Sequence, residues 1–220
     1  MIATNQFLKL VRAAINEFST QEDTFSQETD STLISFAGMA APILAMEVPA
    51  IYQVTETLTV SKDSAENFFT RPDNKTVVCV PVPDDFCRFV SFKADGWRVP
   101  VNTLYGQSSP RYQAQYSTSP GVGAGTAAPV VFLVVNQAGD TYKSFLEGHS
   151  LPAPADCTLV YVKTPQVSDV QIEIDTRLSG AMAYYTASLY LQSINDVNGS
   201  KAAYDFAQNL IVKLNSISIV

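Results

Sequence analysis

The sequence predicts an α+β fold in which about four helices from both chain ends form a bundle that carries an antiparallel, β-sandwich or barrel-like insertion. Apolar residues recur at three- and four-residue steps near both ends, which is the period of amphipathic helices. The middle of the chain consists of short β-branched and aromatic runs separated by Pro, Gly, Asp and Asn, which is typical of strands and turns. We therefore expect residues 1–50 and 176–220 to form the helical bundle and residues 51–175 the β-rich domain.

Two helices are predicted before the β-rich region. The first has Thr4 or Asn5 as its cap, and one apolar stripe is formed by Phe7, Leu8, Val11, Ala14, Ile15 and Phe18. The second helix, Ser31–Met46, is rich in alanine, with Asp30 or Ser31 as its cap and a kink expected near Pro42.

The β-rich region contains one strong turn signal and one long polar segment. Asp95-Gly96 between two apolar runs predicts a type I′ hairpin turn, because this pair tolerates positive φ angles. The segment Gly106–Pro129 is rich in Gly, Ser, Gln and Pro and has a single charge, Arg111. We expect it to be a long loop or tip that a partner orders.

The helical period returns after residue 176. Leu178–Ile194 predicts one helix, and a second is expected from its cap Ser200 to Leu214. The last residues, "NSISIV", are predicted to be extended, and their apolar character suits docking on another chain.

Composition limits the classes of partner. The net charge of −7 repels nucleic acid at long range, so affinity driven by counterion release is not expected. Only 16% of residues are charged, which favours a surface that meets other protein chains, although a large core gives the same figure. The most apolar zone, Phe36–Tyr52, is broken by Pro42, Glu47 and Pro49, whereas a bilayer span needs about 20 apolar residues. Neither a membrane span nor a secretion signal is expected.

No catalytic, cofactor-binding or metal-binding residues are predicted. Asp84 and Asp85 would diverge on a strand, so they are interpreted as turn formers after Pro83. The three cysteines show no metal-ligand spacing, and the single histidine, His149, lies in a stretch with the composition of a solvated loop. An enzyme is therefore not expected, and a hydrolase that uses Cys87 and His149 is the least favoured hypothesis.

The candidate functional residues are instead those of a protein interface. Trp97 and Arg98 follow the predicted turn and belong to residue types that anchor interfaces, although Trp97 folding back onto the sheet is an equally compatible alternative. The complete predicted set is Asp95, Gly96, Trp97, Arg98, Arg111, Tyr112, Tyr116, Ile217, Ile219 and Val220.

This layout resembles the head-to-tail adaptor (connector ring) proteins of short-tailed bacteriophages. The resemblance rests on the helix pair between Phe7 and Met46, on "VPVPDDFCRFVSFKADGWRVPV", and on "TLVYVKTP" leading into the helices "SGAMAYYTASLYLQSI" and "SKAAYDFAQNLIVKLN". The low charge and the Gly/Ser-rich segment are similar to those of virion proteins of crAss-like phages. The resemblance covers nearly the whole chain through layout and a loose motif.

The resemblance implies a structural, non-enzymatic virion protein of the neck or tail, assembled in the cytoplasm of the host bacterium. It implies a homo-oligomeric ring of roughly twelve copies beneath the portal protein, with other ring or tail proteins as further partners. DNA would pass through the lumen on ejection without specific binding, and no cofactor or membrane is involved. The alternative is a β-rich virion module that binds carbohydrate or a host receptor, which exposed Trp97 and tyrosines on one sheet face would favour.

Overall fold

The computed structural model describes residues 1–20, 29–71, 75–117, 123, 125–138 and 141–217. The helices are α1 (Thr4–Phe18), α2 (Asp30–Glu47), α3 (Pro110–Gln115), α4 (Ser179–Ser193) and α5 (Val197–Ile217). The strands are β1 (Ile2–Ala3), β2 (Thr55–Val60), β3 (Phe68–Thr70), β4 (Thr76–Pro81), β5 (Phe86–Ala94), β6 (Leu104–Gly106), β7 (Val130–Ala138), β8 (Thr141–Leu151), β9 (Cys157–Lys163) and β10 (Gln171–Ile172). Short 3-10 turns occur at Ala50–Tyr52, Ala65–Asn67 and Thr176–Leu178.

The chain divides into two compact units, which are Met1–Val54 with Val162–Val220 (unit 1) and Thr55–Tyr161 (unit 2). In unit 1, α4 packs against α1, α2 and α5. The predicted stripe of α1 is buried from Phe7 to Ile15, as an amphipathic helix requires when it packs on one face. Strand β1 lies directly before α1 and pairs with β10 in an antiparallel manner, which adds a small sheet to the same unit.

Unit 2 contains two sheets with a shared apolar core. The larger has the strand order β3-β4-β8-β7-β6, in which β6 and β7 are parallel and the other pairs antiparallel. The smaller has the order β2-β9-β5. The side chains that form the core between them come from both sheets and include Val78, Val131, Leu146, Phe92, Leu159 and Trp97.

The predicted fold class is wrong. The chain is a mixed α/β protein with five helices and three sheets in its described ranges, one sheet has five strands, and none closes into a barrel. The helices from the two chain ends do not form a bundle of their own, because the β1–β10 sheet belongs to the same unit. The insertion is not purely antiparallel either, since β6 pairs in parallel with β7 and the helix α3 lies between them in the chain.

Three local expectations also need correction. Trp97 N–H donates to Ala94 O (3.1 Å) and Gly96 has φ 87°, but Asp95 does not have the positive φ that a type I′ turn requires, so the turn is not type I′. The polar segment 106–129 contains α3 rather than being a loop throughout, although parts of it lie outside the described residues. Helix α5 continues to Ile217, so the predicted extended tail begins as helix, and residues 218–220 lie outside the described ranges.

Candidate functional site

The two faces of β8 have opposite chemical character. Gly148 faces the core of unit 2, where a Cβ atom would lie 2.8 Å from Val78 Cγ1 and 3.2 Å from the rings of Phe92 and Trp97. Its neighbours Glu147 and His149 point to the other face, because side chains alternate along a strand. The larger sheet therefore has an apolar inner face and an outer face with buried polar groups.

His149 lies on this outer face, near the end of β8. Its side chain is fully buried, and its Nε2 is 3.2 Å from Glu147 Oε2. The rings of Phe132, Tyr112 and Tyr116 surround the imidazole, with centroids 5.3, 6.1 and 6.0 Å away. Within the described residues the second ring nitrogen, Nδ1, has no hydrogen-bond partner.

Glu147 links the histidine to the helix above it. It is only 5% exposed, and its Oε2 also accepts a hydrogen bond from the Tyr112 hydroxyl (3.2 Å). The Tyr112 and Tyr116 hydroxyls are 3.3 Å apart, and the buried Arg71 guanidinium lies 5.0 Å above the Tyr116 ring. We call this set, Arg71, Tyr112, Tyr116, Glu147 and His149, the outer-face cluster.

Helix α3 places the two tyrosines. Ser109 caps the helix by accepting a hydrogen bond from Arg111 N–H, and Pro110 occupies the first turn, where its missing N–H costs nothing. Tyr112 lies in the helix and Tyr116 directly follows it; both rings approach His149, although Tyr116 remains 45% exposed. The connection between the parallel strands β6 and β7 thus covers the outer face with an aromatic lid.

A β-bulge follows His149 in β8. Ser150 has φ 85°, and the pairing register with β4 shifts between Thr76 and Val77. The extra residue returns Leu151 to the inner core. Positive φ is rare for serine, so backbone strain is stored beside the histidine.

The surroundings keep the nearby acidic hydroxyl and thiol groups neutral. Burial, then the hydrogen bond with Tyr116 and the charge of Glu147, raise the pKa of Tyr112 well above its usual value. Burial likewise raises the pKa of Tyr116. The pKa of Cys79, which pairs with Glu147 across β4 and β8, rises to about 11 through burial and then the Glu147 charge. The cluster therefore has one carboxylate and one guanidinium around an imidazole.

The arrangement can hold a proton but is closed to a substrate. The His149–Glu147 pair has the geometry of a proton-accepting dyad, yet α3 and Phe132 cover it. Cys87 lies on β5 of the smaller sheet, and burial raises its pKa, which disfavours the nucleophilic thiolate. In the described part of the chain, no group of three or more His, Cys, Asp or Glu side chains is placed to hold a metal ion.

The predicted interface residues fall into separate groups. Asp95, Gly96 and Arg98 are exposed at the turn, whereas Trp97 is 3% exposed and packs against Phe92. Arg111, Tyr112 and Tyr116 are brought together by α3, where Arg111 also donates a hydrogen bond to the Tyr105 hydroxyl (2.6 Å). The side chain of Ile217, and the residues Ile219 and Val220, lie outside the described residues.

The prediction that His149 is solvated in a loop is wrong. The residue belongs to β8, and Glu147 lies on the same face of the strand because it is two positions away. That spacing was the available signal, but the glycine between the two residues and the prolines after them suggested a loop. The turn at Pro83 is confirmed by a hydrogen bond from Phe86 N–H to Pro83 O (3.0 Å), and Asp85 accepts one from the Tyr161 hydroxyl (2.9 Å).

A second notable surface lies on α2 in unit 1. No charged residue occurs between Asp30 and Glu47, so the helix is apolar on nearly all sides. Met39 and Met46 are each 56% exposed. We call the outward side of this helix the α2 stripe, formed by Ser35, Gly38, Met39, Pro42 and Met46.

Comparison with protein-family models and with curated proteins gives no match for this chain. Among the residues described, no helix has the length and apolar character that a membrane span requires.

Proposed function

We propose that this chain is a structural subunit of a bacteriophage virion, a head-to-tail adaptor that forms a ring between the portal protein and the tail. The observation that supports this role most is the α2 stripe in unit 1. A helix that is apolar on all sides is ordinarily buried, yet α2 exposes two methionines, Met39 and Met46.

A second copy of the chain suits this stripe. Gly38 directly precedes Met39, and no described atom outside its own helix backbone comes within 4 Å of the Cβ it would carry, so a neighbouring element can approach the helix backbone closely. Methionine side chains adapt to irregular partner surfaces. Subunits that contact each other through two different surfaces close into rings when the rotation between them permits.

The charge of the chain fits a DNA channel. Its net charge of −7 leaves little attraction for a polyanion, so DNA can slide past such a subunit without being held. Adaptor rings act mechanically, by extending the portal channel and offering a docking surface to the tail, and this needs no catalytic group.

The experiment compares two variants, each of which replaces an exposed apolar side chain with lysine. Met39→Lys places a charge on the α2 stripe, and Val212→Lys places one on α5, where Val212 is 62% exposed. Mass is measured by native mass spectrometry with and without the portal protein encoded by the same phage. We expect rings from the wild-type chain and from Val212→Lys, and their loss in Met39→Lys with an unchanged melting temperature.

Two outcomes count against the proposal. One is a wild-type chain that remains monomeric at micromolar concentration with the portal present. The other is a stable monomer that binds glycans on an array, which supports the carbohydrate-binding alternative instead. Equal ring formation by the two lysine variants would retain the adaptor function but remove the α2 stripe as its contact.

A further inference from the structure

We infer that α3 is a proton-released cover: uptake of a proton by the Glu147–His149 pair detaches α3 from the larger sheet. Detachment uncovers the outer face of that sheet and exposes the ring of Tyr112, whereas Tyr116 is already 45% exposed in the closed form. The inference concerns unit 2 alone and does not depend on the phage assignment.

The charged and titratable groups around the pair set the response. Tyr112 and Tyr116 face it from α3, Arg71 from the residue after β3, and Cys79 from the neighbouring strand β4. Phe132 on β7 contributes only an apolar ring. Of these described groups, Glu147 alone carries a negative charge.

In the closed form, a neutral imidazole gives the Glu147 carboxylate the hydrogen-bond donor it needs. Its Nε2–H donates to Glu147 Oε2, and Nδ1 is a bare acceptor within a fully buried side chain. The Tyr112 hydroxyl donates to the same carboxylate oxygen. No donor beyond these two is needed.

One more proton upsets this balance wherever it binds. On Nδ1 it creates a buried N–H that faces no acceptor among the described residues. On Glu147 it removes the negative charge of the pair and turns an acceptor of two hydrogen bonds into a donor. A buried unpaired donor or charge is costly, and exposure to water relieves that cost.

Helix α3 is the element that can yield. Strand β8 is hydrogen-bonded along its length to β4 on one side and β7 on the other. Helix α3 has six residues, and an isolated helix of that length is unstable in water, so its position depends on side-chain contacts such as those of Tyr112 with Glu147 and of Arg111 with Tyr105. Opening therefore costs less at α3 than anywhere in the sheet.

The single histidine makes the inference directly testable. Its Cε1–H signal reports protonation of His149 by NMR without any substitution. Hydrogen exchange of the amides of α3, referenced to those of α4, reports opening between about pH 8 and pH 5, the range in which imidazoles gain a proton. We expect the relative protection of α3 to fall at least about tenfold as the His149 signal moves.

Two substitutions distinguish opening of α3 by the Glu147–His149 pair from a general loss of stability in acid. His149→Gln retains an amide donor for Glu147 and removes the imidazole, so α3 should stay protected to a lower pH than in wild type. Tyr112→Phe removes one donor to the carboxylate and should move the opening midpoint up by about one pH unit. The matched control is Tyr142→Phe, a 71% exposed tyrosine on β8, which should behave as wild type.

Either of two results overturns the inference. In one, the His149 signal titrates while α3 protection stays constant, or it does not move before the whole chain unfolds. In the other, Tyr112→Phe and Tyr142→Phe give the same midpoint. This second comparison decides the matter even if His149→Gln fails to fold.

Discussion

Two buried carboxylates in this molecule are bound by different kinds of partner. Asp196, in unit 1, is 2% exposed and accepts hydrogen bonds from Thr20 N–H (2.7 Å), Thr20 Oγ1 (2.8 Å) and Gly199 N–H (3.0 Å). Glu147, in unit 2, accepts hydrogen bonds from the side chains of His149 and Tyr112.

A buried carboxylate can therefore either hold two segments in a fixed position or take part in a pH-dependent change, according to its hydrogen-bond donors. Burial by itself would raise the pKa of Asp196, but the N–H groups of Thr20 and Gly199 and the hydroxyls of Thr20 and Ser19 together outweigh it, and the pKa lies below its usual value. Backbone donors cannot change protonation, so Asp196 fixes the residues after α1 to the start of α5. Glu147 is held by side-chain donors, and the pH-dependent opening of α3 proposed above depends on the imidazole among them.

The largest expected effect comes from Gly199→Ala, which tests the rigid site. The new Cβ would lie 2.5 Å from Phe18 O and 2.8 Å from Asp196 Oδ2, so backbone must move. We expect the free energy of unfolding to fall by about 3 kcal/mol or more, measured by urea denaturation. Gly180→Ala is the control, since its nearest contact is Leu210 Cδ1 at 3.8 Å, and it should not destabilise.

The next effect is that of Asp196→Ala. This change leaves the N–H groups of Thr20 and Gly199 without their acceptor, and we expect a loss of about 2 kcal/mol in the free energy of unfolding. Asp205→Ala, at an exposed position on the same helix, should change it by less than about 0.5 kcal/mol. Equal losses in the two variants would mean that the Asp196 contacts do not stabilise unit 1.

Protonation of Asp196 in acid should lower the free energy of unfolding by less than the Asp196→Ala substitution does. Because its folded-state pKa is lowered, its stabilising contribution is complete above the unfolded pKa of about 4 and is lost as the pH falls through the folded value. Between pH 5 and pH 2, wild type should therefore lose stability more steeply than Asp196→Asn. Parallel curves from urea denaturation would contradict this account.

The smallest effect concerns Cys79, beside the responsive site. Its pKa of about 11 is raised first by burial and second by Glu147, so Glu147→Gln should lower the pKa but leave it above that of a free thiol. Peptide-resolved alkylation between pH 7 and pH 10 measures this. A Cys79 that becomes as reactive as a free thiol in Glu147→Gln would show that charge, not burial, dominates.

Local patterns predicted several elements correctly. The stripe from Phe7 to Ile15 predicted α1, because apolar spacing at the helical period reflects one-sided burial. The position of the Asp95-Gly96 turn was also predicted, since glycine permits the positive φ found there.

The rest depended on contacts between distant residues. Two-residue strands such as β1 and β10 have no detectable period, and the parallel pairing of β6 with β7 leaves no local mark. The burial of Trp97 and of His149 is decided by what packs against them, which neither residue's neighbours in sequence reveal. These omissions explain why the fold class was wrong and the outer-face cluster was missed.

The parallel β6–β7 pair has a consequence for which parts of the chain can be shortened. Antiparallel neighbours such as β7 and β8 can be joined by two residues, but parallel neighbours need a crossover that returns the chain to the same end of the sheet. Residues 107–129 provide that return path, despite a composition that suggests a dispensable loop. Deletions that leave this connection too short to return to the start of β7 should therefore abolish the β6–β7 pairing, because a parallel crossover dictates a minimum length.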